Sequence, residues 1–313
     1  MARSQTRSRG NRAWRDRMIP DRLWAVLKEA FAGWWNDGVP RMGAALAYYT
    51  LFALAPVLTV AILVAGMAFG PEAVRGEIVQ QIEGLVGRDG ARAIQSILEG
   101  AANSSASIPA AIIGVITFFL GATGAFLELQ GDLDAIWRVK PRSRGNFLRE
   151  LLTQRIISFG LVLGFAFLLL TSLAVSAALA AVHTYMGNAF PGAAVLWEAV
   201  NLVVSLGVIT LLFALIYKVL PDVKLAWRDV WMGSLVTAGL FTVGKFLIGL
   251  YLGTSGFAST YGAAGSVIVV LMWVYYSSQI ILLGAEFTRA YAERLGPSPA
   301  PVEFATKDPD PKK

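Results

Sequence analysis

Cysteine is absent from the chain, and His183 is its only histidine. The first absence excludes disulfides, thiol nucleophiles and cysteine metal sites. The second leaves no histidine pair for acid–base hydrolysis and no histidine-rich metal cluster. Charge is scarce as well: Asp, Glu, Lys and Arg supply 15% of the 313 residues, against 56% hydrophobic residues and a mean hydropathy of +0.58. No cleavable leader is expected, because the first forty residues are basic and polar, without an apolar core or a small-residue cleavage site.

What is present is a series of long apolar blocks, each near or beyond the length that crosses a bilayer. They run from Ala44 to Gly70, Ile108 to Leu127, Ile156 to Val182, Val195 to Leu220, Trp231 to Leu252 and Ser266 to Glu286. The fold class read from them is an all-α polytopic membrane protein with six transmembrane helices. Lys and Arg number nine in segment 1–43, six in 128–155, three in 218–230 and five in 288–313, while the remaining connections hold only Arg75, Arg88 and Arg92. Positive residues are retained on the cytoplasmic side, so both termini are expected there. The net charge of +6 is a topology signal of this kind and gives little support to nucleic-acid binding.

The membrane domain is placed at 44–287, with further segments around it. Residues 1–20 form a basic arm without apolar periodicity, expected to be disordered. Segment 21–38 carries Leu23, Trp24, Leu27, Phe31, Trp34 and Trp35 at helical spacing, with Asp21 as a start cap, Gly38 as a stop and Pro40 just beyond. It reads as an amphipathic helix lying in the inner interface. Between spans one and two, 71–107 shows two apolar stripes, Val74, Ile78, Ile82, Leu85 and then Ile94, Ile97, Leu98, Ala101, which predict an outer amphipathic helical cap. The proline-rich stretch 296–313 predicts a flexible tail. Gly66, Gly70, Gly160, Gly164 and the glycines at 233, 239, 244 and 249 mark close helix packing, and Pro56 predicts a kink in the first span.

Four separated stretches resemble the YihY/BrkB family of bacterial inner-membrane proteins. They are "RMGAALAYYTLFALAPVLTV", "LQGDLDAIWRV", "ALIYKVLPDVKLAWRDVWMGSL" and "YGAAGSVIVVLMWVYYSSQIILLGAEFTRAY", in the family's order and within residues Trp24 to Tyr291. The resemblance implies six spans, cytoplasmic termini and a bacterial inner-membrane location. It also brings a former ribonuclease BN label and a virulence label connected with serum resistance. The residues do not suit a nuclease: one histidine, no HxHxDH-like run, and inner-side acids Asp132, Asp134, Asp222 and Asp229 that read as solvated helix ends among basic residues. A non-enzyme without cofactor or metal is expected.

Two polar groups stand out. Lys245 interrupts the apolar run Gly233 to Leu252, and a lysine at the bilayer centre costs about 2.5 kcal/mol or more. At about 1.5 Å per residue it lies roughly 10 Å from the outer end, a depth comparable with Glu198 and Asn201 on the fourth span. Two readings stand: the lysine snorkels to the interface, or it forms an inward site with Glu198 and Asn201. The second group, at the inner side, comprises Arg41, Glu128, Gln130, Arg155 and Glu286, with Gln279 deeper. It reads as a structural ion network or as an inner gate where Arg41 and Arg155 meet a phosphate or carboxylate, with Tyr48, Tyr49, Tyr275 and Tyr276 between the two groups. His183 reads as an interfacial polar residue, with pH sensing as the second reading.

The leading expectation is a transporter or flippase-like carrier of an anionic amphiphile, with membrane lipids as partners. The alternatives are an ion-coupled small-solute carrier and a non-transporting scaffold docking an envelope protein on the cap. Glycine-rich faces permit a homo-oligomer.

Overall fold

The computed structural model of the chain describes residues 22–69, 76, 83, 91–92, 94–96, 124–141, 194–255, 263–296, 299–302 and 305–307. The expected arm, the third span, Arg155, His183 and most of the second span and of the cap lie outside these residues. The long described helices are α1 (22–36), α2 (Val39–Phe69), α3 (124–136), α4 (Ala194–Val219), α5 (Trp227–Ser255) and α6 (Ala263–Leu295), with further helical residues at 76, 83, 91–92 and 94–96. Among the described residues, Leu202–Val219, Trp227–Leu252 and Val267–Leu295 are long and apolar enough to cross a membrane. The first apolar block lies on α2 as far as Phe69, in a 31-residue helix that continues through Pro56.

The turn from α1 to α2 takes two residues. Asp37 N–H donates to the Gly33 carbonyl at 2.8 Å, and Gly38 then takes φ of 73°, a left-handed conformation that a Cβ disfavours. The Gly38 carbonyl accepts the N–H of Arg41 at 2.9 Å and so opens α2, with Pro40 in the first turn, where a missing N–H costs nothing.

α1 turns its small residues inward. Val26, Ala30 and Gly33 are buried, the first two against Phe287, Ala290 and Tyr291 of α6. Of the expected aromatic stripe, Trp24, Phe31 and Trp35 are exposed, at 69%, 63% and 71%. That face points away from the bundle, as an interface-lying helix requires.

α6 is the central element, packed by α2 on one side and α5 on another, with α4 beyond α5. Their shared core includes Phe213, Tyr217, Phe241, Ile280 and Leu282. Phe213 and Phe241 meet edge to face, as do Phe241 and Trp273, which ties α4 to α6 through α5. A second cluster joins Ala91 and Ile94 to Ile248, Leu252, Val269 and Val270, so the described part of the cap segment sits on the adjoining ends of α5 and α6.

One departure from expectation arises at the opposite end. The segment after α6, expected to be flexible, contributes two strands. β3 (Ala300–Pro301) pairs antiparallel with β2 (Val223–Lys224), and β4 (Ala305–Lys307) pairs antiparallel with β1 (Val139–Pro141). The described residues are nonetheless mostly helical, as expected, with these two short ladders added. Proline does not prevent them, because Pro141 and Pro301 occupy strands of two-stranded ladders, which have free edges.

Candidate functional site

The polar residues of α6 lie on two faces. One faces the α1–α2 turn. Gln279 accepts from Trp34 Nε1 at 3.0 Å and donates to the Val39 carbonyl at 3.3 Å. Two turns further on, Glu286 Oε2 accepts from Arg289 Nη2 at 2.6 Å and Nε at 3.2 Å, and Asp37 Oδ2 stands 3.7 Å from the same Nη2. Glycines make room for both groups: a Cβ on Gly43 would lie 2.1 Å from Gln279 Nε2, and one on Gly33 would lie 2.4 Å from Glu286 Oε2. Glu286 and Arg289 are buried, while Asp37 is half-buried at the rim.

The other face of α6 meets α5 and α4 through hydroxyls. Tyr217 donates to the Ile281 carbonyl at 2.7 Å and lies 3.0 Å from Thr237 Oγ1, which is 2.8 Å from the Gly233 carbonyl. With Tyr217's proton committed to Ile281, Thr237 has one proton for two acceptors. Gly284 and Gly233 let the helices close on this layer, since added Cβ atoms would sit 1.9 Å from Thr237 Oγ1 and 1.8 Å from Thr288 Oγ1.

Of the glycines singled out on α5, Gly233 and Gly244 are packing positions, Gly244 against Tyr276 and Ile280. Gly239 and Gly249 meet nothing within 4 Å and are not. Small-residue spacing does not say which face of a helix is covered.

The acids expected to be solvated helix ends are mostly buried. Asp132, Asp134 and Asp229 are 7%, 7% and 1% exposed, and Asp222 is half-buried. Burial, reinforced by Glu128 one turn away and opposed by Arg41, pushes the Asp132 carboxyl up to about 7. Burial likewise lifts Asp134 to about 7, against the Asp222 N–H that donates to its Oδ1 at 2.8 Å and with the Asp222 carboxylate adding to the rise. Asp229 packs against Gly296, where a Cβ would lie 2.5 Å from its Oδ2. The Asp222 turn meets Asp134, and Gly296, just past α6, meets Asp229.

Lys245 is half-buried, between Gly244, which packs on α6, and the exposed Phe246 and Leu247. Glu198 and Asn201 lie on α4, but their side chains are outside the described ones, as is Arg155 altogether. The expected inner group divides. Arg41 is exposed and acts with half-buried Glu128 on Asp132, Gln279 bonds to Trp34 and Val39, and Glu286 pairs with Arg289. Gln130 is half-buried, Tyr48, Tyr49 and Tyr275 are exposed and Tyr276 is half-buried.

Sequence reasoning missed Arg289 and Asp37 as partners of Glu286. The spacing of Glu286 and Arg289, three apart on one helix, was the available signal. Among the described residues no group of three or more His, Cys, Asp or Glu could hold a metal ion.

A family profile described as "Virulence factor BrkB" matches residues 30–306. A UPF0761 membrane protein of Pseudomonas paraeruginosa is 31% identical over 257 residues, 80% of this chain and 58% of the relative. One from Ralstonia nicotianae is 28% identical over 267 residues, 84% of this chain and 58% of the relative. One from Azotobacter vinelandii is 30% identical over 268 residues, 84% and 62% respectively. The chain thus spans less than two thirds of the length of these relatives, whose names describe membrane proteins and no enzyme. No solved structure matches.

Proposed function

The chain belongs to the Virulence factor BrkB family of membrane proteins, and from that premise we propose that it is a flippase-like carrier of an anionic amphiphile in a bacterial inner membrane. The observation that carries the reading is the place of Lys245, at the margin between the packed face of α5 and its exposed apolar face. A carrier of a water-soluble solute needs its charge inside the bundle. A carrier of an amphiphile needs charge beside the lipid, where a headgroup follows the protein while its chains stay in the bilayer. Arg41, exposed at the start of α2, suits capture of such a headgroup at the cytoplasmic interface. Glu198, Asn201, Arg155 and Glu128 remain proposed members of the route. Gln279 and Glu286 have partners of their own and are assigned to holding the bundle.

The orientation proposed is the one the basic segments favour, with both termini cytoplasmic and the cap outside. The scaffold alternative gains little from the described cap residues. Ala91 and Ile94 are spent on the bundle, which leaves polar Arg92, Gln95 and Ser96 exposed.

Native mass spectrometry of protein released gently from its membrane tests the reading. Wild type is expected to carry an anionic lipid that Lys245→Ala loses. The same lipid in both, or none in either, contradicts the role given to Lys245.

A further inference from the structure

We propose that Glu286 and Asp37, held around Arg289, form a proton-binding site in which one proton is shared between the two carboxylates. The inference stands on this cluster and does not depend on the carrier reading. Charge comes first. The groups acting on Glu286 are Arg289 and Asp37, so a single guanidinium faces two carboxylates. With both acids ionised the cluster carries one negative charge in excess, at a position where Glu286 is fully buried and Arg289 nearly so. A buried charge without compensation is far more costly than a buried neutral acid.

Hydrogen bonding points the same way. Both Arg289 bonds go to Glu286 Oε2, which leaves Glu286 Oε1 without a partner, and Asp37 Oδ2 has none either. Asp37 Oδ2 stands 3.7 Å from the same Arg289 Nη2 that bonds Glu286 Oε2 at 2.6 Å, so the two carboxylates meet at one guanidinium nitrogen. A proton on one, donated to the other, cancels the excess charge and supplies the missing bond.

Space excludes a larger occupant. A hard metal cation needs about six oxygen ligands, and Gly33 closes the site so tightly that even a Cβ would sit 2.4 Å from Glu286 Oε2 and 2.9 Å from Arg289 Nη2.

The surrounding charges do not neutralise the cluster. Glu29 on α1 is engaged with Arg294, Glu293 adds a further acid on the exposed side of Arg289, and Arg41 acts on Asp132. From α5 and α4 the neighbours of α6 are the neutral hydroxyls of Thr237 and Tyr217, with Asp229 against Gly296. Asp37, half-buried at the rim, is the more exposed of the two carboxylates.

Infrared difference spectroscopy of the full chain in lipid nanodiscs, titrated from acid to alkaline pH, reads protonated carboxyls directly. Asp132 and Asp134 contribute a background common to all variants. Wild type is expected to show about one further protonated carboxyl per chain at neutral pH, absent from both Glu286→Gln and Asp37→Asn. The second loss is the sharper one, because a carboxyl kept neutral by burial alone would hold its proton after Asp37 is removed, whereas a shared proton goes with either partner. Unchanged bands in both variants overturn the site. A band lost with Glu286→Gln but kept with Asp37→Asn overturns the sharing. If Glu286→Gln does not fold, Asp37→Asn decides alone: loss supports the proposal and retention refutes it.

Discussion

Replacing Gly284 by alanine places a methyl carbon 1.9 Å from Thr237 Oγ1 and 2.4 Å from the Tyr217 hydroxyl. Ordinary contacts of this type lie at about 3.5 Å, so α6 must retreat from α5 by about 1.5 Å or both side chains must turn. Neither has room, since Tyr217 is 1% exposed and Thr237 is not exposed at all. Overpacking of this kind costs about 1–3 kcal/mol. Turning Tyr217 away also leaves its buried hydroxyl without the Ile281 carbonyl it donates to, for about 1–3 kcal/mol more. Against this, alanine gains about 0.5–1 kcal/mol over glycine within a helix. The net expectation is a loss of about 2–4 kcal/mol. Thermal unfolding in detergent, followed by tryptophan fluorescence, measures it, with Gly249→Ala as the control because nothing lies within 4 Å of that position. Gly284→Ala should unfold well below wild type, and Gly249→Ala at or slightly above it. Equal unfolding temperatures for the two variants would refute the packing argument.

Asp134→Asn tests the buried acids. Its folded pKa of about 7 lies above the ordinary value of 3.8, so the stability linked to it is full below 3.8 and is lost as pH rises through about 7. The variant should therefore match wild type in acid and exceed it above neutrality, by about 4 kcal/mol at most and by about 1–2 once solvent screening is allowed for, read as unfolding temperature against pH. Trp34→Phe removes the Nε1 bond to Gln279 and should cost about 1 kcal/mol in the same assay, whereas Trp35→Phe, on the exposed face, should stay within about 0.5 kcal/mol. Truncation after Gly296 removes β3 and β4, and amide exchange around Val139 should then quicken by about tenfold or more; unchanged protection there would show that the ladders contribute nothing.

The long apolar runs made α2, α4, α5 and α6 legible, because a membrane-spanning helix needs no long-range information to be seen. The turn at Gly38 and Pro40 was legible for a similar local reason. What escaped was whatever depended on contact between distant segments. The tail strands required knowing that the chain returns across the end of the bundle to meet residues 139–141 and 223–224. Asp132 and Asp134 looked solvated because the acids of that side are scattered among basic residues, whereas the group that bonds Asp134, the Asp222 N–H, stands far along the chain. Glu286 was found as a candidate, but its partners were sought on neighbouring helices when the nearest, Arg289, stood one turn away on its own.

The role of Lys245 is tested most directly in sealed liposomes containing the purified protein and a fluorescent anionic lipid, with loss of the label to an external quencher read over time. Wild type should speed movement between leaflets, and Lys245→Ala, folded and incorporated to the same extent, should lose that acceleration. No acceleration by wild type, or equal acceleration by the variant, would contradict the account.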